Sequence, residues 1–247
     1  MKLGLRKKDR TDPNSMTLIE HLAELRRRLA FSLAILVTMS IVGWFLYLPV
    51  LHFLREPYCA SFPHHCQLYA RTPLEPLSIR VKISLFTGFF LSSPAIFYHV
   101  WRFITPGLKA NEKRYVVPFV AVSLLLFALG AGLAYLVFPR AISFLGTVGG
   151  SNVNLLISPD SYFNLILLVI VVFGLSFEFP VVLVGLELAR IVSSQQLRKV
   201  RRWAILAITI AAAVFTPSSD PYSMLALGLP MYLFFELSIL IGRIMKR

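Results

Sequence analysis

Six long apolar runs, each bounded by charged residues, constrain this chain more than any other feature. They fall at about 29–50, 83–100, 115–138, 162–189, 203–215 and 222–242. A bilayer core of about 30 Å asks for roughly 20 apolar residues per helix. Inside lipid every backbone polar group must be satisfied internally, so only helices and closed barrels can span it. These runs are too long and too uniformly apolar for barrel strands, and the expected fold is an all-α polytopic membrane protein. Composition agrees, with 57% hydrophobic and 15% charged residues against about 45–50% and about 25% in soluble domains. One membrane domain covers 1–247, with a basic, flexible tail at 1–16 and no internal repeat.

Charge supplies the orientation. The net charge is +13, an excess that often signals nucleic acid. Here it sorts by topology. An even number of spans puts both termini on one side. That side would hold Lys2, Arg6, Lys7, Lys8, Arg10, Arg26, Arg27 and Arg28, then Arg102, Lys109, Lys113 and Arg114. It would also hold Arg190, Arg198, Lys199, Arg201, Arg202, Arg243, Lys246 and Arg247. Of the 25 Lys and Arg, only Arg55, Arg71, Arg80, Lys82 and Arg140 fall on the other side. The positive-inside rule makes both termini cytoplasmic, and no nucleic-acid partner is needed.

The fifth run is short. Trp203 to Phe215 makes roughly 20 Å of helix, and Thr216-Pro217 stops it. The sixth carries Pro230 and Glu236, so its uninterrupted apolar part also reads as short. Two adjacent short spans would thin the bilayer locally. The outer loops are long and contain prolines, at Pro49 to Pro76 and Pro139 to Pro159, and read as a structured cap on the outer face. Cys59 and Cys66 share the first of them. An oxidising compartment would permit a disulfide; two free thiols are the alternative. No Cys/His spacing suits a metal. No cleavable signal peptide is read: the apolar run after residue 28 is too long for one and lacks a cleavage site.

Acidic residues at a basic surface are the unusual chemistry. Thr17 and Glu20 have capping-box spacing, which starts a helix there. Glu20 and Glu24 are four apart and share a face. Arg27 and Arg28 follow Glu24 by three and four, so an intrahelical ion pair of about 0.2–0.5 kcal/mol is the plain interpretation. Glu112 opens the third span, where a first-turn glutamate favours the helix N-terminus. Glu24 and Glu112 nevertheless fall at one membrane depth, and each carboxylate could hold a guanidinium by charge-assisted bonds.

Glu178 lies well inside the fourth span. A charge at mid-bilayer costs at least about 2.5–3.5 kcal/mol, so it needs a partner, a water-filled cavity or a proton. Pro180 favours a bend beside it. Its functional interpretations are a translocation-path residue or a proton-handling group; a structural carboxyl paired with a neighbouring helix is the bland one. Glu236 reads as structural. Trp101, Phe103, Tyr115 and Trp203 suit interfacial belts, and Phe103 could also line a groove beside Glu112. No catalytic set is present and no cofactor is expected, so an enzyme is not the expectation.

Several segments together resemble the TatC family of twin-arginine translocase subunits. They are His21-Leu22-Ala23-Glu24-Leu25-Arg26-Arg27-Arg28-Leu29, Ser93-Pro94-Ala95, Tyr98-His99-Val100-Trp101-Arg102-Phe103-Ile104-Thr105-Pro106-Gly107-Leu108, and Glu112-Lys113-Arg114. Val137-Phe138-Pro139, Phe173-Gly174-Leu175-Ser176-Phe177-Glu178-Phe179-Pro180 and Pro230-Met231-Tyr232 with Phe235-Glu236 continue the match in family order. The resemblance implies a six-helix, cup-shaped receptor in the cytoplasmic membrane of a prokaryote, with cytoplasmic termini. It would bind the Arg-Arg signal peptides of folded cargo and form the core of an export system driven by the proton-motive force. It implies a signal-peptide patch at Glu24 and Glu112, with His21, Leu25, Arg26 and Phe103 beside them, and an intramembrane path at Glu178 and Thr216. TatA-type and TatB-type single-span partners and self-association are implied too. The chain departs from the family at Thr216-Pro217-Ser218-Ser219-Asp220 and at Met224, where a glutamine is common. The alternative function is a proton-coupled small-solute transporter using Glu178; a purely structural scaffold is a third.

Overall fold

The computed structural model describes residues 18–62, 66–104, 116–148, 157–188, 191–216 and 220–244. Every regular element among them is a helix. In chain order these are α1 (Leu18–Phe45), α2 (Tyr47–Ser61), α3 (Glu75–Ile104), α4 (Val116–Val148), α5 (Pro159–Ser176), α6 (Phe179–Leu188), α7 (Ser194–Lys199), α8 (Arg201–Phe215) and α9 (Pro221–Ile244). Five stretches are long and apolar enough to cross a membrane: α1, α3, α4, α5 with α6, and α9. The sixth is α8, with 15 residues and so about 22 Å long. The protein is an all-α polytopic membrane protein whose six-helix cup includes this one short helix.

Several boundaries differ from the hydropathy reading. The first apolar run does not continue to residue 50: the chain breaks at Leu46 and turns into α2, which continues to Ser61. Helix α3 starts eight residues before the apolar run and α4 runs ten beyond it, so much of the outer cap is helix rather than loop. Prolines sit inside four of these helices, Pro57, Pro94, Pro139 and Pro230. Each removes a backbone donor, and in two places a side chain replaces it. Ser93 Oγ donates to Phe90 O at 2.8 Å, the carbonyl that Pro94 leaves free. Tyr135 Oη donates to Phe53 O at 2.9 Å, which Pro57 leaves free.

The sixth span is also not short. α9 is continuous through Pro230 for 24 residues, because Glu236 is neutralised by Arg201 at 2.5 Å rather than ending the helix. The paired thinning expected from two short spans therefore reduces to α8 alone. Asp220 has a structural job here: its Oδ2 accepts from the Ser223 N–H at 2.6 Å, capping the start of α9.

Glycines set how closely the helices approach. A Cβ on Gly43 of α1 would strike the Ser84 backbone of α3, and one on Gly88 of α3 would strike the Ser40 backbone of α1. The two helices interlock through small residues, the usual way membrane helices gain contact when lipid offers no hydrophobic drive. Gly130 of α4 against Phe173 and Phe177, with Gly174 of α5 against Phe127, repeats the device.

The outer cations all lie at one end, where α2 meets the starts of α3, α5 and α9 and the far part of α4. Lys82 Nζ binds Asp160 at 2.8 and 2.9 Å, and Ser78 Oγ joins the same carboxylate at 2.9 Å. Ser61 Oγ donates to Pro139 O at 3.0 Å, and buried Tyr162 donates to Leu54 O at 2.7 Å. Arg140 stacks on Tyr222, 4.7 Å from the ring centre. Arg80 packs over Trp44 and Tyr47 at 4.3 and 5.2 Å. Cys59 and Cys66 form a disulfide across a Cα–Cα distance of 4.7 Å.

Candidate functional site

The collar is the first turns of α1, made helical by a run of Glu, Leu, Ala and Arg, all strong helix formers. Glu24 is ion-paired four residues along with Arg28, whose Nε donates to Glu24 Oε1 at 3.0 Å and whose Nη2 contacts the same oxygen. Only one carboxylate oxygen is used. Glu24 Oε2 is sheltered and has no hydrogen-bond partner among the described residues. A carboxylate accepts through both oxygens, so Glu24 keeps capacity for a second guanidinium.

Leu22, Leu25 and Leu29 form an exposed apolar stripe around it, and Arg26 is exposed. Arg27 lies 5.7 Å from the Phe31 ring centre, and Phe31 stacks on His99 of α3 at 6.4 Å. Phe103 is half-buried at the end of α3 and has contacts of its own. Glu112 and Thr17 lie outside the described residues, as does the side chain of His21.

The second acidic place is the bend in the fourth span. α5 ends at Ser176, α6 begins at Phe179, and Glu178 sits in the break just before Pro180. Glu178 is buried. Its carboxyl lies beside the Ser123 hydroxyl of α4, and Oε1 has no hydrogen-bond partner among the described residues. Ser123 Oγ in turn accepts from Trp101 Nε1 at 2.9 Å, and the Trp101 ring fills the space left by Gly185 of α6.

Trp101 is therefore not an interfacial-belt residue. It is buried because its N–H finds a partner inside the bundle. Exposed Trp203 remains free to serve as a belt residue. The sequence reading missed Ser123, since a lone serine in an apolar run carries no signal by itself. It also missed Glu187, one residue from the end of α6, which is fully buried.

Thr216 is buried and donates back to Ala212 O at 2.8 Å, so its hydroxyl serves its own helix. Beside it lies an apolar groove of about 510 Å³ between α8 and α9, lined by Ile208, Ala212, Met224, Gly228 and Tyr232 among others. The structure brings Glu178, Ser123 and Trp101 together. It leaves Glu24 on a separate helix end and Thr216 at the α8–α9 turn.

The features together are those of a polytopic all-helical membrane protein with one acid at a charged helix end, a second at a helix bend and one short span. The chain matches the Sec-independent protein translocase protein (TatC) family over residues 20–230, and it belongs to that family. It is 38% identical to the Sec-independent protein translocase protein TatC of Aquifex aeolicus over 237 residues, 94% of this chain and 97% of that one. It is 38% identical to the TatC of Frankia casuarinae over 242 residues, again 94% of this chain. It spans 66% of the Frankia relative and 65% of the Corynebacterium kroppenstedtii relative. A crystal structure of the twin-arginine translocase receptor TatC aligns with a TM-score of 0.76 at 36% identity, covering 92% of this chain and all of that one.

Proposed function

We propose that this protein is the signal-peptide receptor and core subunit of a twin-arginine export system in a prokaryotic cytoplasmic membrane. The observation that carries this, beyond family membership, is Glu24. One oxygen holds Arg28 and the other is sheltered and unpartnered, beside an exposed leucine stripe. A carboxylate with an unused acceptor oxygen, next to apolar surface, suits a peptide that carries paired arginines followed by an apolar segment. Glu112 is the second arginine-binding acid in this reading, with His21, Leu25, Arg26 and Phe103 around it. The surrounding cations repel generic basic peptides and leave these acids as the local exception.

The apolar segment of the signal then travels toward Glu178. The groove between α8 and α9, mostly apolar with Thr209 and Tyr232 in its lining, is the seat for a TatA-type or TatB-type single-span helix, and the short α8 thins the bilayer where that helix docks. Thr216 borders this seat.

Site-specific crosslinking in membranes tests the patch. Each hydrogen bond to a charged partner is worth about 1.5–3 kcal/mol, so Glu24→Ala or Glu112→Ala should lower capture of an Arg-Arg signal by roughly ten- to a hundredfold. Capture at the wild-type level by both variants would refute the assignment. Co-purification of small single-span proteins from native membranes tests the partners.

A further inference from the structure

Glu187 has no part in the function proposed above. It lies in the last turns of α6, has no exposed surface, and neither carboxyl oxygen has a hydrogen-bond partner among the described residues. It faces α9. A Cβ added to Gly242 would fall onto both of its oxygens and its carboxyl carbon. The carboxyl thus packs against α9 at Gly242, in the space a side chain there would take.

Among the described residues, no neighbouring cation is paired with Glu187. On α9, Glu236 is held by Arg201 of α8 and Arg243 is exposed. α4, which also packs on α6, carries only Tyr135 and Arg140 among its described residues as titratable or charged groups, and both lie at its outer part. Arg198 and Lys199 of α7 are exposed. In the same span the other acid is Glu178, nine residues back in the break before α6 and beside Ser123. Ser238, the nearest buried hydroxyl on α9, is used by Phe234 O at 2.8 Å.

An ion taken fully out of water without a counter-charge is strongly disfavoured, whereas a neutral carboxyl loses only its unmade hydrogen bonds. We propose that Glu187 is a proton-binding site that latches α6 to α9. With the proton bound, α9 lies against α6 at Gly242. When the O–H bond breaks, the electron pair stays on the carboxylate, the proton passes to water, and the charge draws water into the seam and parts the two helices. The latch is independent of arginine-pair recognition.

The test uses the full chain in lipid nanodiscs without signal peptide. Spin labels go on exposed Val182 of α6 and exposed Ile244 of α9 through Val182→Cys and Ile244→Cys; the native cysteines are disulfide-bonded and do not compete. The label–label distance should lengthen as pH is raised, and this lengthening should be absent in Glu187→Gln. Infrared spectra on a Glu178→Gln background should contain a protonated-carboxyl band at neutral pH that Glu187→Gln abolishes. Glu187→Leu, which places an apolar group in the seam, should stay closed at every pH and serves if the glutamine variant folds poorly. An ionised Glu187 at neutral pH, or a variant pair whose distance moves with pH as in the parent, overturns the proposal.

Discussion

The two ends of the bundle are built differently. At the outer end, elements far apart in sequence are tied to one another by the Lys82–Asp160 pair, the Tyr162–Leu54 bond and the Ser61–Pro139 bond, while the Cys59–Cys66 disulfide closes a short local loop. At the basic end, the described ties are shorter in reach. Glu24 and Arg28 pair within one helix, Ser193 and Gln196 cap α7 reciprocally, and Arg201 meets Glu236 at a half-exposed site. Most of the polar groups named at the outer end are spent on one another, with Arg80 Nε and Ser223 Oγ left without a hydrogen-bond partner among the described residues. At the basic end Glu24 keeps an unused oxygen. The difference is one between a fastened rim and a receiving rim: substitutions at the outer end should cost stability, and those at the basic end should cost recognition.

Four substitutions can break or sharpen that contrast. The largest loss of stability should follow Cys59→Ser with Cys66→Ser. Chain entropy assigns about 2–3 kcal/mol to so short a loop, read as a lower unfolding temperature in detergent, with reduction of the parent giving the same shift. Tyr162→Phe should cost about 1 kcal/mol by deleting a buried hydrogen bond, and faster amide exchange in α2 than in α9 would place the loss at the outer rim. Lys82→Ala should cost less, about 0.5 kcal/mol, because the pair is partly exposed and screened, and Asp160 keeps Ser78 and the positive end of α5. Glu24→Gln should barely move the melt, by about 0.2–0.5 kcal/mol, while it weakens signal capture. If Glu24→Gln lowered stability more than the double cysteine change did, the division between the two rims would fail.

The sequence exposed the parts of the fold that depend on hydropathy alone. Six apolar runs, their charge asymmetry and the bend beside Pro180 could all be read, because lipid imposes length and polarity rules on every residue of a span. What stayed hidden depends on contacts between spans. The break at Leu46 and the helical identity of α2 were invisible, since Arg55, Glu56 and Pro57 inside α2 look like loop composition. α3 and α4 extend past their apolar runs because Lys82 meets Asp160 and Pro139 O meets Ser61, pairings no single segment announces. Pro230 and Glu236 looked like the end of a span until Arg201 arrived from α8. In the site, the acids Glu24 and Glu178 were legible as charges in unusual places. Ser123 and Trp101 were not, because their importance lies in touching Glu178. Glu187 escaped notice as the last acid before a basic loop.

The reciprocal glycines of α1 and α3 have a mechanical result. Gly43 seats on Ser84 and Gly88 on Ser40, near the outer end of α1 and the middle of α3, and Phe31 stacks on His99 closer to the basic end. Two such fasteners at different heights prevent the pair from scissoring. Glu24 at one tip and Phe103 at the other therefore swing together as the prongs of a single tuning fork. A force that tilts one prong carries the other with it, and the gauge between them is kept.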